Sequence, residues 1–205
     1  MLTTTLPGFT DLTADSQKTF RVLLTALAEP GKLLEIPIQL TVPEGLTLAC
    51  GAACLTLIDF ETVVWLPPTL PGAVADWLRF HTGCTFSSEP SQATFAIVND
   101  LEAMTFSQFC WGSAEAPEDS TTIFIQLNSQ LDTQPEQLQS GKPVVLSGPG
   151  ILGVRTISPA VSPTFWQMWQ QNHAAYPRGV DCFLLGDRQV MGLPRCTKVQ
   201  YEEVA

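Results

Sequence analysis

YPRGVDCFLLGDRQVMGLPRCTKV, running from Tyr176 to Val199, is the stretch on which the fold reading turns. Val180 to Leu185 is a run of β-formers, Gly186-Asp187-Arg188 supplies a turn, and Gln189 to Leu193 returns, which together predict a β-hairpin. Pro194 removes a ladder donor and ends the second strand, leaving Arg195, Cys196 and Thr197 just beyond it. Asp181 stands at the head of an otherwise apolar strand, after Arg178 and before Cys182, Phe183 and Leu184. A carboxylate in that setting needs a cation, backbone donors or water, because burying it unpaired is costly.

Outward from the hairpin, strands alternate with helices. Asp15-Ser16 is a helix cap for a segment reaching about Ala28, with Phe20, Leu23, Leu24 and Leu27 on one apolar face and Pro30-Gly31 as the stop. Lys32 to Pro37 is a short strand candidate. Leu46 to Ile58 is apolar nearly all round and rich in small residues, the pattern of a buried helix packed closely on its neighbours. Thr62 to Leu66, Ala93 to Val98, Thr121 to Leu127 and Pro143 to Ser147 read as strands. Gly72 to His81, a short segment near Leu101 to Phe109, and Pro163 to Ala175 read as helices, with a loop over Gly112 to Ser120. This alternation predicts a single α/β domain with a mixed sheet over residues 1–205, with flexible ends over about 1–14 and 200–205.

Four further segments, taken with the hairpin, resemble the H subunit family of the bacterial carbon–phosphorus lyase core complex. They are TFRVLLTALAEPGKL (Thr19 to Leu33), VWL followed by LRFHTGC (Val64 to Leu66, Leu78 to Cys84), ATFAIV (Ala93 to Val98) and LSGPGI (Leu146 to Ile151). It is their order and spacing that carry the resemblance, which is weakest between Glu102 and Ser140. It implies a three-layer α/β fold related to the large domain of pyridoxal-phosphate-dependent transferases, without that cofactor's site. It also implies a role in the first stage of phosphonate use, in which a phosphonate replaces adenine on C1 of the ATP ribose to give a ribose 1-phosphonate 5-triphosphate. In that family the nucleosidase-like chemistry belongs to an I-type partner subunit. The expectation is therefore an architectural or site-completing subunit, not catalytic alone, that forms a homodimer when isolated and joins the I-type and other subunits in the complex.

Composition agrees with a complex subunit. Hydrophobic residues make up 45% of the chain and charged residues only 15%, leaving an apolar surface that favours association. The net charge of −10, with four lysines and six arginines, argues against a nucleic-acid surface, which needs clustered cations. The first residues show neither a basic nor an apolar leader region, so no signal peptide is expected, and the longest apolar stretch is shorter than the roughly 18 residues a membrane span needs. A cytoplasmic location with no membrane contact is expected, and the six cysteines then read as reduced core thiols.

Several motifs lead nowhere chemically. Gly148-Pro149-Gly150-Ile151-Leu152-Gly153 satisfies GxGxxG, but β-branched residues and Pro159 follow instead of a helix, so a turn between two strands is expected. Cys50 and Cys54 share a helix spacing without further ligands, His81 with Cys84 is isolated, and Ser113 lacks a nucleophile elbow. No metal and no cofactor is expected, and none of Lys18, Lys32, Lys142 and Lys198 has a phosphate cup beside it. The arginines are the informative set. Arg79 and His81 end one helix, Arg155 follows the glycine turn, and Arg178 and Arg195 bracket the hairpin with Asp181 between them. Arginine grips phosphate or carboxylate with two parallel hydrogen bonds. These six residues are candidates for anion binding or for an interface; the alternative is local pairing with acids such as Asp76 and Asp181. If the arginines converged, the chain could be a self-sufficient phosphonate-binding transferase using Arg79, Arg155 and Arg195. If nothing converged, it could be a homodimer that merely keeps the fold.

Overall fold

A computed structural model describes residues 6–127 and 141–201 of the chain. The hairpin forms as expected from β8 (Asp181–Leu185) and β9 (Gln189–Leu193), with Cys182 opposite Leu193 and the Gly186 N–H donating to the Gln189 carbonyl over 2.9 Å. It sits inside a seven-stranded mixed sheet. In spatial order this runs β1 (Leu34–Glu35), β9, β8, β5 (Thr122–Gln126), β4 (Phe95–Val98), β2 (Val63–Trp65) and β3 (Thr85–Phe86). From β8 to β3 all neighbours are parallel, while β9 and β1 close one edge antiparallel. Central parallel strands are covered on both faces and so read as continuous apolar runs; Ile123, Phe124 and Ile125 of β5 are all fully buried.

Helices α1 (Leu12–Ala28), α2 (Leu48–Leu57) and α3 (Gly72–Thr82) supply one core with Ile97, Phe124 and Phe183 from the sheet. On the other face, Ile123, Ile125, Cys182 and Leu184 pack with Phe165, Trp166 and Trp169 of α4 (Pro163–Ala174). That second layer also holds a separate antiparallel sheet of β6 (Val144–Ser147), β7 (Arg155–Ile157) and β10 (Lys198–Gln200), in the order β10-β6-β7. Of the ends expected to be flexible, residues 1–5 and 202–205 lie outside the described residues. Within the first, α1 already begins at Leu12, and the Leu6 carbonyl accepts from Trp77 Nε1 over 3.1 Å.

Four expectations need correcting. The strand from Pro143 to Ser147 does not join the main sheet: the glycine turn folds it back onto β7, and β10 pairs with its other edge. The segment near Leu101 to Phe109 is no helix beyond one 3-10 turn, Phe106–Gln108, because the Asp100 carboxylate accepts from the Glu102 and Ala103 N–H groups and holds a turn there. The cap of α1 is Asp11, whose Oδ1 accepts from Ala14 N over 2.9 Å; Asp15 lies inside the helix and reaches back to Asp11 N.

The buried face of α1 is also rotated from the expected one. A Cβ on Gly192 would lie 2.4 Å from the Ala26 carbonyl oxygen, so only glycine on β9 lets the helix backbone approach this closely. This contact through the small side of the helix turns Thr19, Leu23 and Ala26 inward and leaves Phe20 and Leu24 about half exposed. The hairpin turn has a further task that its sequence does not show. Its Asp187 carbonyl accepts from Ala49 N over 2.8 Å, filling one of the open donors at the start of α2.

Candidate functional site

Asp181 opens β8 and Arg195 follows Pro194 at the end of β9, so the hairpin register places the two side by side. Asp181 Oδ1 accepts from the Arg195 backbone N–H over 2.7 Å, and Arg195 Nε lies 3.2 Å from each carboxylate oxygen. Arg195 Nη2 donates to Asp181 Oδ2 at 2.5 Å and to Ser120 Oγ at 2.6 Å, while Nη1 donates to the Pro117 carbonyl at 2.5 Å. All three guanidinium nitrogens are thus engaged within the chain. The side chains retain only 14% (Arg195) and 21% (Asp181) of their exposure, so solvent screens the pair weakly. What results is a lock that fastens the hairpin to the loop before β5. Below it, Asn172 of α4 donates through Nδ2 to the Val180 carbonyl over 2.9 Å and accepts from Val180 N over 2.8 Å. His173 Nδ1 lies 3.2 Å from the Arg195 carbonyl.

The other candidates fall elsewhere. Arg155 Nη1 donates to the carbonyls of Glu29 and Pro30 at 3.0 and 2.5 Å, closing the end of α1, whose last turn has no basic residue of its own. Arg79 pairs with Asp76 at 3.4 Å on the surface of α3 and stands 5.0 Å over the Phe86 ring. His81 Nε2 is 2.9 Å from the Leu6 carbonyl, and its ring meets Trp77 and Phe80 edge-on. Arg178 is exposed and forms no ion pair among the described residues. The structure therefore joins Asp181 with Arg195, keeps Arg79 and His81 together in the last turn of α3, and sets Arg155 at the end of α1. The glycine motif connects antiparallel β6 and β7 and opens no helix.

Sequence reading missed Ser120 and the Pro117 carbonyl as partners of Arg195. It also missed Arg188, which donates to the Ile38 carbonyl over 2.6 Å and pairs with Glu35 at 3.4 Å, tying β1 to the hairpin turn. A groove of about 370 Å³ lined by Thr10, Asp11, Asp15, Lys18, Pro37, Ile38 and Gln39 went equally unremarked. Its charges are satisfied locally: Lys18 pairs with Asp15 at 3.3 Å, and the Asp11 N–H, with help from Lys18, holds the Asp15 carboxyl below its ordinary pKa. Four of the six cysteines are buried. Burial pushes the thiols of Cys54 and Cys182 upward, with the Cys50 neighbour adding to the first and Asp181 to the second. Thiols held protonated in this way make poor nucleophiles and poor ligands. Among the described residues no three His, Cys, Asp or Glu side chains are placed to hold a metal ion, and no helix is long and apolar enough to cross a membrane.

Residues 7–200 match the sequence pattern of the bacterial phosphonate metabolism protein family (PhnH). The chain is 35% identical over 198 residues to a protein of Rhizobium meliloti (strain 1021) named "Alpha-D-ribose 1-methylphosphonate 5-triphosphate synthase subunit PhnH", with 95% of each chain covered. It is 27% identical over 184 residues to a protein of Stutzerimonas stutzeri named "Putative C-P lyase subunit protein HtxG", covering 89% of this chain and 85% of the other.

Proposed function

The chain belongs to the bacterial phosphonate metabolism protein (PhnH) family, and from that membership we propose that it is a subunit of the synthase that forms a ribose 1-phosphonate 5-triphosphate from ATP and a phosphonate. The observation that carries the reading is the end-to-end match to a subunit of that synthase, over 95% of both chains. Its partners are the other carbon–phosphorus lyase subunits, above all the I-type nucleosidase-like one, and in isolation it pairs with itself in the cytoplasm. It is architectural or completes a site built mainly by others. This is supported by the arginines, since Arg155 and Arg195 direct their donors to acceptors of their own chain and not to one cleft. The same observation weighs against the self-sufficient transferase with Arg79, Arg155 and Arg195 in a single anion pocket. The kinship with the large domain of pyridoxal-phosphate-dependent transferases belongs to the reading as architecture alone. Lys18 and Lys32 are paired with Asp15 and Glu29, and no lysine is given a cofactor role.

Reconstitution of the synthase from the remaining subunits, supplied with ATP and methylphosphonate, tests the reading. Phosphorus NMR is expected to show the ribose 1-phosphonate triphosphate only when this chain is added. Equal rates with and without it would contradict the assignment, and ATP binding by the isolated chain that is lost in Arg195→Ala would restore the transferase reading.

A further inference from the structure

Charge is unevenly spread along the chain. Residues 36–127 hold ten of its Asp and Glu residues and a single basic one, Arg79, so this segment has nearly all of the net −10. It builds α2, α3 and the β5-β4-β2-β3 half of the sheet. Among the described residues, only Asp76 of those ten acids is in an ion pair, with Arg79, at 3.4 Å between two largely exposed side chains. Within this acidic half two aromatic rings face solvent: Phe60 is 72% exposed and Phe80 is 70% exposed.

Phe80 lies on α3, and Phe60 meets the C-terminal end of that helix. Asp76 and Phe80 are four residues apart and Gly83 follows three later, so they share a helix face. Gly83 ends α3 in the left-handed region at φ 73°, and a Cβ there would lie 3.2 Å from Phe60 Cβ, which places Phe60 against the end of that face. Phe60 is held out by a tight turn. Asp59 Oδ1 accepts from Glu61 N over 3.0 Å, Thr62 N donates to the Asp59 carbonyl over 3.2 Å, and Thr62 Oγ1 accepts from Asp59 N over 3.1 Å and donates to the Asp59 carbonyl over 2.7 Å. An aromatic anchor on a stiff turn loses little conformational freedom on binding. Asp59 and Glu61 flank Phe60 in the chain and Asp76 lies one turn before Phe80, all three exposed; Arg79, paired with Asp76 at 3.4 Å, is the cation among them, so the edge is net acidic.

We propose that the exposed Phe60–Phe80 edge at the end of α3, bordered by Asp59, Glu61 and Asp76, docks a partner protein subunit that presents an apolar pocket bordered by lysine or arginine. The proposal rests on the complex-subunit reading and gives it a surface. Aromatic anchors inside a charged rim are the common form of a binding hot spot, and opposite charges across the rim speed encounter and fix register. A second copy docked edge to edge suits the site less well, because two identical patches, each with three acids to one arginine, carry the same net negative charge and repel. The apolar flank of α1, with Phe20 and Leu24, lies outside the acidic segment and serves as a control.

The test is a binding titration of the chain against the co-purified remaining subunits of the synthase. Phe60→Ser with Phe80→Ser is expected to weaken association at least tenfold, and Glu61→Lys with Asp76→Lys to weaken it several-fold while removing most of its salt dependence. Phe20→Ser with Leu24→Ser is expected to bind as the wild type does. Should the aromatic variant fail to fold, as judged by circular dichroism and melting, the charge-reversal variant decides alone. Wild-type affinity in the folded Phe60 and Phe80 variant, or in the charge-reversal variant, would overturn the proposal. So would a variant that dissolves the homodimer and spares subunit binding, since a second copy would then occupy the edge. Wild-type chain that binds none of the subunits would instead refute the complex-subunit reading, and the docking edge with it.

Discussion

Two Asp–Arg pairs in this molecule are alike in chemistry and opposite in use. At the hairpin end, Asp181 and Arg195 keep 21% and 14% of their side-chain exposure, and the guanidinium also holds Ser120 Oγ and the Pro117 carbonyl. At the α3 edge, Asp76 and Arg79 keep 81% and 57%, meet at 3.4 Å and sit within one helix. The first pair ties distant segments together inside the chain. The second leaves its charges to the solvent and to whatever docks there. The difference comes from desolvation: a charge withdrawn from water must have all of its hydrogen-bonding capacity met, whereas an exposed one need not.

Arg195→Ala should break this contrast most severely. It leaves the Asp181 carboxylate without its cation and is expected to cost about 3 kcal/mol or more in denaturant unfolding. A double variant, Asp181→Asn with Arg195→Met, should lose less than the two single changes added together, because the stranded charge is gone. Asn172→Ala should come next, at about 2 kcal/mol, since it orphans both the buried N–H and the carbonyl of Val180 beside the lock.

A smaller effect is expected at Asp15. Its pKa is lowered in the folded chain, chiefly by the Asp11 N–H and then by Lys18. A carboxylate with a depressed folded pKa gives stability that is whole above its unfolded value and is lost as the pH falls through the folded one. That window lies from about pH 4 downward. Asp15→Asn should therefore lower the melting temperature at neutral pH and flatten its fall in acid; an unchanged acid slope would count against the assignment. Smallest of all, Asp76→Ala or Arg79→Ala should stay within about 0.5 kcal/mol of the wild type, as exposed pairs do. A loss at Asp76 equal to that at Arg195 would erase the distinction between the two regions.

How much of this was legible in the sequence follows the same division between local and distant. Hairpin β8–β9 was readable because turn residues, β-formers and Pro194 act on their immediate neighbours. So was α2, whose apolar and small residues announce burial on all sides. The rotation of α1 was not, because it is set by Ala26 meeting Gly192, and the Phe20, Leu23, Leu24 and Leu27 pattern alone favoured the wrong face. The second sheet escaped notice because β7 and β10 are three residues each and gain their identity only by pairing with β6.

The candidate site divides likewise. Asp181's need for a cation was plain from its apolar strand, and Arg195 stood close by. Ser120 and Pro117 were out of reach because they lie 75 and 78 residues away in the chain, and a carbonyl acceptor leaves no mark in a sequence. Arg155 was read as a possible anion ligand for the same reason: its acceptors are the backbone carbonyls of Glu29 and Pro30.

The central claim is that this chain works as one subunit of a larger synthase, and its mass in solution tests that most directly. Light scattering should give a homodimer for the isolated chain and, after co-expression with the I-type subunit and the other members of the complex, one heavier mixed species. Two species that elute separately with unchanged masses would contradict it.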